Sequence, residues 1–384
     1  MSILPSIAAL LFSVLLLIGG NSLVGVATPL RARFESFPEL TVGLLGSVYF
    51  AGMLAGTLAA PAIIRRGGHI RAYAAFVALA VVSVILMPVM VTPLAWLACR
   101  ALIGFVFAGI YAVIESWINA KATNANRGAL YALYQIANFG ASASGQLALK
   151  PLGPEGFSSF AVAGALLALA IVPMAMTSVD PPAQPRSVRP RLFWLVRMAP
   201  ISCFAAGAAN GALFALAPVF AVEIGMAPSS VPLFTSSIVM GSALGVLPIG
   251  LISDRVDRRL VMAAVMIVGA ACEVALSRLA TPGASLIVLG FLVGLTTYSL
   301  YTLAVSLAND HGAPHDLVFI SVGLLFIYCV AAIAAPAVAS ILMKNLGPKM
   351  LFVQNAYVHL AIAALALWRI IVSPKGPSRT RTAA

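Results

Sequence analysis

Apolar runs of twenty or more residues, separated by short polar connections, recur along almost the whole chain. A helix needs about 20 mainly apolar residues to cross a bilayer. On that measure the pattern predicts spans at 5–29, 40–64, 71–91, 93–119, 127–149, 157–178, 199–222, 230–252, 260–280, 284–308, 317–343 and 350–372, about twelve in all. The longest polar connection, 179–198, is rich in Pro and Arg, lies midway and reads as a linker. The expected organisation is an all-α membrane protein with a six-helix bundle over 1–178, a linker over 179–198 and a second six-helix bundle over 199–384 that ends in a short basic tail.

The two halves match each other. At an offset of 189, Asn21 meets Asn210, Pro29 meets Pro218, Gly52 meets Gly241 and Gly56 meets Gly245. At an offset of 190, Gly104 meets Gly294, Tyr111 meets Tyr301, Ser116 meets Ser306 and Asn119 meets Asn309. Eight matches at nearly constant spacing imply duplication, with a pseudo-twofold axis along the membrane normal and a central site between the halves.

Composition removes the competing classes. The chain of 384 residues is 61% apolar and 9% charged, against about 25% charged in a soluble domain. The net charge of +12 lies in short basic groups between apolar runs, without a basic face or interleaved aromatics. That pattern speaks for membrane topology and against a nucleic-acid partner. With the N-terminus inside, the inner loops and C-terminal tail hold sixteen Lys and Arg and the outer loops six, which predicts both termini in the cytoplasm of a bacterial inner membrane. The first span lacks a basic leader and runs into Asn21–Ser22, so it reads as a retained helix. Cys99, Cys203, Cys272 and Cys329 lie apart, and neither a metal site nor a disulfide is expected. His311 and His315, with Asp310 and Asp316, read as a solvated loop. No nucleotide loop or catalytic constellation stands out, so no cofactor is expected and the chain does not read as an enzyme.

Three local patterns point to one family. GLISDRVDRR at 250–259 fits G-x-x-x-D-R-x-x-R-R between the eighth and ninth spans, and its counterpart after the second span keeps Arg66, Gly67 and Gly68 but has Arg65 in place of the aspartate. RALIG at 100–104 has Arg followed by Gly four residues on. With Glu115–Ser116, Asn126–Arg127–Gly128 and Gly145–Gln146, the chain resembles the major facilitator superfamily, in a little-characterised bacterial branch of sugar, drug and vitamin permeases. The Gly-Pro pair of drug antiporters is absent from GASASGQ in the fifth span. The resemblance implies a secondary transporter that works by alternating access, with spans 1, 4, 7 and 10 lining a cavity. On those spans Asn21, Tyr111, Asn210 and Tyr301 form pseudo-symmetric pairs, and Tyr298 lies one turn from Tyr301.

The polar residues inside spans are the candidates for function. Tyr131, Gln135, Asn138, Ser142 and Gln146 share one face of the fifth span and must face either another helix or a wet cavity. Arg100 is a candidate for gating, substrate contact or proton coupling. Glu115 either shares that role or pairs with Arg127 or Arg71. Glu273 reads as half of an outer-end pair with Arg278. The resemblance also implies that the 250–259 loop, with Asp254 and Arg255, docks on the other half at the start of the fifth helix, Asn126–Arg127, where the helix dipole favours an anion. Arg65 and Asp316, with Asp310 nearby, would form a mirror-image latch of opposite polarity, both latches closing when the protein faces outwards. Amides and phenols recognise neutral polar groups and rings stack on planar ones. The expected substrate is therefore a small neutral organic solute, a planar vitamin such as riboflavin, with sugars or drugs as the alternative. A receptor or scaffold without transport would need no polar centre. The sequence leaves proton coupling and passive uniport both open.

Overall fold

The computed structural model describes residues 4–121, 127–176, 198–279, 281–310 and 317–372, nearly all of them helical. The helices are α1 (Leu4–Phe34), α2 (Glu39–Gly67), α3 (His69–Val89), α4 (Pro93–Lys121), α5 (Arg127–Leu147), α6 (Leu149–Leu152), α7 (Ser158–Leu169), α8 (Ile171–Ala175), α9 (Met198–Glu223), α10 (Val231–Arg255), α11 (Arg258–Leu279), α12 (Ala284–Thr297), α13 (Ser299–Asn309), α14 (Leu317–Leu346) and α15 (Met350–Val372). Helices α7 and α8 together make one crossing, as do α12 and α13. Among the described residues, eleven crossings are long and apolar enough to span a bilayer, by length and composition alone. The twelfth is α5, which falls short because one of its faces is polar.

Several helices overrun their predicted ends. Helix α1 continues past Pro29 to Phe34, with Arg31 and Arg33 in its last turn and Arg31 paired to Glu35. Cations there offset the negative end of the helix dipole, and the i,i+4 pair adds support. Large apolar side chains stay exposed along the outside of the bundle, among them Leu94, Ile136, Leu247 and Ile371, as a lipid-facing surface requires. Of the segment expected as a linker, residues 179–197 lie outside the described residues.

The repeated glycines mark where backbones touch. A Cβ on Gly52 would lie 1.9 Å from the Ala101 carbonyl oxygen, and one on Gly104 would lie 1.9 Å from that of Tyr49. The second half has the same contacts between α10 and α12: Gly241 on Phe291 and Gly294 on Ile238, each at 2.0 Å. Small residues at four-residue spacing let membrane helices approach this closely. Another repeated contact differs in chemistry. The Ser13 hydroxyl bonds the Tyr73 hydroxyl between α1 and α3, and 189 residues on Ser202 donates to the sulfur of Met262 at 3.5 Å.

Between the halves, α2 packs on α14, α5 on α10, and α1 and α2 on α9. At the end that carries the α1–α2 loop this packing is tight: Gly43 abuts Ser340 and Pro336, and Gly46 abuts Ala215. Arg33 also reaches across to Glu223 at 2.9 Å. At the opposite end Arg258 pairs with Asp310 at 2.6 Å and Tyr131 donates to Asn119 at 2.9 Å, each within one half. The protein is thus packed shut at the α1–α2 loop end. A partly exposed ion pair is worth about 0–1 kcal/mol. Glu223→Gln is therefore expected to leave thermal stability nearly unchanged, while a cysteine replacing Val42 in a background without native cysteines becomes up to about fivefold faster to label. An unchanged labelling rate would show that the pair does not hold this end closed.

Candidate functional site

A cavity of about 280 Å³ lies between the halves. Asn21, Ser22, Tyr49, Phe50 and Tyr111 line it from the first half, together with Asn138, Ser142 and Gln146 on α5. Asn210, Phe214, Ser242, Tyr298 and Tyr328 line it from the second. Its lining residues include no carboxylate and no cation. Size and character fit the lower end of small-molecule sites, which run from about 300 Å³ upward and combine apolar walls with a few placed polar groups.

The site is assembled from helix periodicity. Asn138, Ser142 and Gln146 recur every four residues on α5 and face the cavity together. Gln135, one turn earlier, is exposed and does not line it. Tyr131 turns instead to α4 and donates to Asn119. The polar face of α5 is therefore divided between a cavity and a helix contact. Tyr301 also lies off the cavity lining, packed edge-on against Tyr328 with ring centroids 5.1 Å apart. Its repeat partner Tyr111 does line the cavity, so the pair is not equivalent in position. Tyr298 falls at the break between α12 and α13, where the tenth crossing passes the cavity.

One wall is aromatic. Tyr49 on α2 stacks on Phe214 of α9 at 5.9 Å, and Phe50 meets Phe214 at 6.1 Å. Asn21 donates from Nδ2 to the Tyr49 hydroxyl at 3.4 Å. Arg100 does not reach the cavity itself. It is 3% exposed, sits 4.5 Å beneath the Tyr49 ring and donates from Nε to the Leu45 carbonyl at 3.4 Å. No carboxylate pairs with it among the described residues. The Arg-x-x-x-Gly spacing explains this placement. Gly104 seats α4 on the Tyr49 carbonyl, and one turn earlier Arg100 then lies under the Tyr49 ring.

Among the cavity-lining residues, two buried amide oxygens have no hydrogen-bond partner among the described residues: Oδ1 of Asn210 and Oε1 of Gln146. Both residues line the cavity, one from each half. An unmade hydrogen bond at a buried acceptor costs about 1–3 kcal/mol. Both atoms are covered in this arrangement, so a ligand that carries N–H or O–H donors recovers that cost only where neighbouring side chains shift to admit it.

Of the expected latch residues, the structure places only some. Arg65 is exposed and has no ion pair among the described residues, while Asp310 is taken by Arg258 of its own half. Asp254, 62% exposed, pairs with Arg258 at 3.0 Å. Asp257 caps the start of α11 by accepting from the Arg259 amide at 2.9 Å. Arg255 is exposed. The side chain of Arg127 and all of Asn126 and Asp316 lie outside the described residues, as do His311 and His315. Glu115 is exposed, with no ion pair to Arg71. The expected Glu273–Arg278 pair is corrected: Glu273 is fully buried and bonds His359 of α15 at 2.9 Å.

The comparisons with known proteins agree with this architecture. The family model described as Major Facilitator Superfamily matches twice, over residues 10–197 and 198–384. Among curated relatives, an uncharacterised MFS-type transporter of Enterobacter sp. (strain 638) is 27% identical over 355 residues, covering 91% of this chain and 92% of the relative. The MFS-type transporter YcaD of Salmonella typhi is 27% identical over 370 residues, covering 95% and 96%. Among solved structures, a variant of the nucleoside transporter NupG superposes with a TM-score of 0.78 at 14% identity, over 95% of this chain and 99% of that one. A bacterial homologue of the lysosomal transporter Spinster, inward-facing and occupied, gives 0.76 at 13% identity, over 94% and 95%. The fold and its central cavity define an integral, multi-pass membrane transporter. The chain belongs to the major facilitator superfamily.

Proposed function

We propose that this transporter carries a small, neutral, planar solute rich in hydrogen-bond donors, with riboflavin as the leading example. The observation that carries this reading is the cavity wall itself. Orphaned amide oxygens on Asn210 and Gln146 call for donors, the Tyr49–Phe214 stack offers a flat aromatic face, and no lining residue supplies a counter-charge. A phosphorylated substrate would need a cation within reach, and Arg100 lies behind Tyr49. Sugars are the second reading, favoured by the same amides and by the hydroxyls of Ser22, Ser142 and Ser242.

Transport proceeds by alternating access, with the halves rocking about the cavity. The six-helix units of 1–178 and 199–384 are the moving bodies and 179–198 joins them. The excess of Lys and Arg on one side supports cytoplasmic termini in a bacterial inner membrane. With that orientation the closed α1–α2 loop end faces outwards, and the arrangement is inward-facing. Asp254 and Arg255 with Arg127, and Arg65 with Asp316, are the residues that would latch this side in the opposite state.

A thermal-shift screen of the purified protein tests the substrate class, because a ligand of the native state raises its apparent stability. At about 100 times the dissociation constant the gain is about 2.7 kcal/mol. Riboflavin is expected to raise the melting temperature measurably, and phosphorylated flavin to have a much smaller effect. A shift produced by phosphorylated flavin alone would contradict a cavity without counter-charge.

A further inference from the structure

Glu273 and His359 are both fully buried inside the second half, bonded to each other between α11 and α15 and absent from the cavity lining. The duplicated fold provides its own control. Burial along α3 and α11 matches at an offset of 189, which pairs Val84 with Glu273. Along α7 and α15 the five buried positions of α7, Ser159, Phe160, Ala163, Gly164 and Leu167, fall at an offset of 192 on Leu351, Phe352, Asn355, Ala356 and His359. At the equivalent positions of its own packed helix pair, α3 and α7, the first half has Val84 and Leu167, which are 1% and 0% exposed. The fold does not need an ionisable pair there, and burying one is costly. Ionisable residues retained inside membrane helices despite that cost mark function.

The pair is also connected. Asn355, one turn before His359 on α15, lies beside Glu273 and donates to the Ala209 carbonyl of α9 at 3.3 Å. The next residue on α9 is Asn210, whose amide lines the cavity. Gly269 on α11 lets Thr296 of α12 and the His359 ring approach closely, with a Cβ there falling 2.9 Å from the Thr296 hydroxyl and 3.4 Å from Nδ1 of His359. Among the described residues the ionisable neighbour besides His359 is the Cys272 thiol on α11; α12 presents the Thr296 hydroxyl and α9 a backbone carbonyl. Nε2 of His359 is buried without a hydrogen-bond partner among the described residues.

We propose that Glu273 and His359 form a proton-binding site of the second half, and that Asn355 transmits its occupancy to α9 at the substrate cavity. The pair holds one proton between a carboxylate and an imidazole and is then neutral overall. A second proton, drawn from water, converts it to a carboxylic acid beside an imidazolium, and its release restores the first state. Full burial means that exchange waits on movement of α11 and α15, so proton exchange and helix movement occur together.

Infrared difference spectra of the full-length protein in lipid, recorded as the pH is stepped without any substrate, test this directly. The wild type is expected to show a protonated-carboxyl band that titrates together with an amide I change. Glu273→Gln loses the carboxyl band, and His359→Gln keeps it but shifts its midpoint. The double variant Glu273→Val with His359→Leu, which installs the first half's own residues, is expected to fold normally and to be silent. Asn355→Ala keeps the carboxyl band and loses the amide I change. A Glu273→Gln spectrum identical to wild type would overturn the site; should that variant not fold, a double variant that titrates like wild type would do so. An Asn355→Ala protein with its amide I change intact would overturn the link to α9.

Discussion

Asn210→Ala and Asn21→Ala are each expected to reduce uptake through the reconstituted protein about tenfold to a hundredfold while leaving expression and folding unchanged. Asn210 supplies a buried oxygen with no partner among the described residues, and Asn21 holds the Tyr49 hydroxyl of the aromatic wall at 3.4 Å. Losing either group removes a hydrogen bond worth about 1–3 kcal/mol where water does not compensate, and at about 1.4 kcal/mol per tenfold the middle and upper part of that range gives the stated loss. The two losses differ in kind. Asn210→Ala should weaken binding of donor-bearing solutes selectively. Asn21→Ala should also loosen Tyr49, and with it the seat of Arg100 beneath the ring. Initial uptake rates across a substrate series separate the two effects. Wild-type rates in both variants would remove these residues from the site.

Gly52→Val and Gly241→Val are expected to be among the most damaging single substitutions in the bundle. In each, a new Cβ would fall 1.9 or 2.0 Å from a backbone carbonyl oxygen, so the facing helix must move as a whole. Overpacking of ordinary side chains costs about 1–3 kcal/mol, and a rigid backbone obstacle belongs at or above the top of that range. Both variants should show greatly reduced yield of monodisperse protein and a much lower melting temperature. Gly67→Val, where an added Cβ meets nothing within 4 Å, is the matched control and should behave like wild type. Equal stability of Gly52→Val and Gly67→Val would contradict the close α2–α4 contact.

These two predictions also mark what the sequence could reveal. Glycine matches at offsets of 189 and 190 were visible as a repeat, and the structure gives their cause in backbone contact between α2 and α4 and between α10 and α12. Asn21, Asn138 and Asn210 were legible because amides are rare in apolar spans, Tyr111 through the repeat and Tyr298 through its spacing from Tyr301, and all five line the cavity. Tyr49, Phe50, Phe214 and Tyr328 were not, because an aromatic residue in such a span looks the same whether it packs on a helix or faces a solute. Gln135 and Tyr301 share helical spacing with true lining residues but lie off the cavity lining, which a periodicity of 3.6 cannot distinguish. The partner of Glu273 was invisible for another reason. His359 is 86 residues away, and only the helix packing brings the two together. The repeat did hold a signal, since Glu273 stands where the first half has Val84.

The central claim is that the cavity between Asn21 and Asn210 carries a neutral planar solute across the membrane. Uptake of radiolabelled riboflavin into proteoliposomes containing the purified full-length protein tests it most directly. The account predicts saturable uptake that unlabelled riboflavin competes away and that Asn210→Ala reduces about tenfold or more. Uptake no faster than in empty liposomes, or uptake that Asn210→Ala leaves untouched, would contradict it.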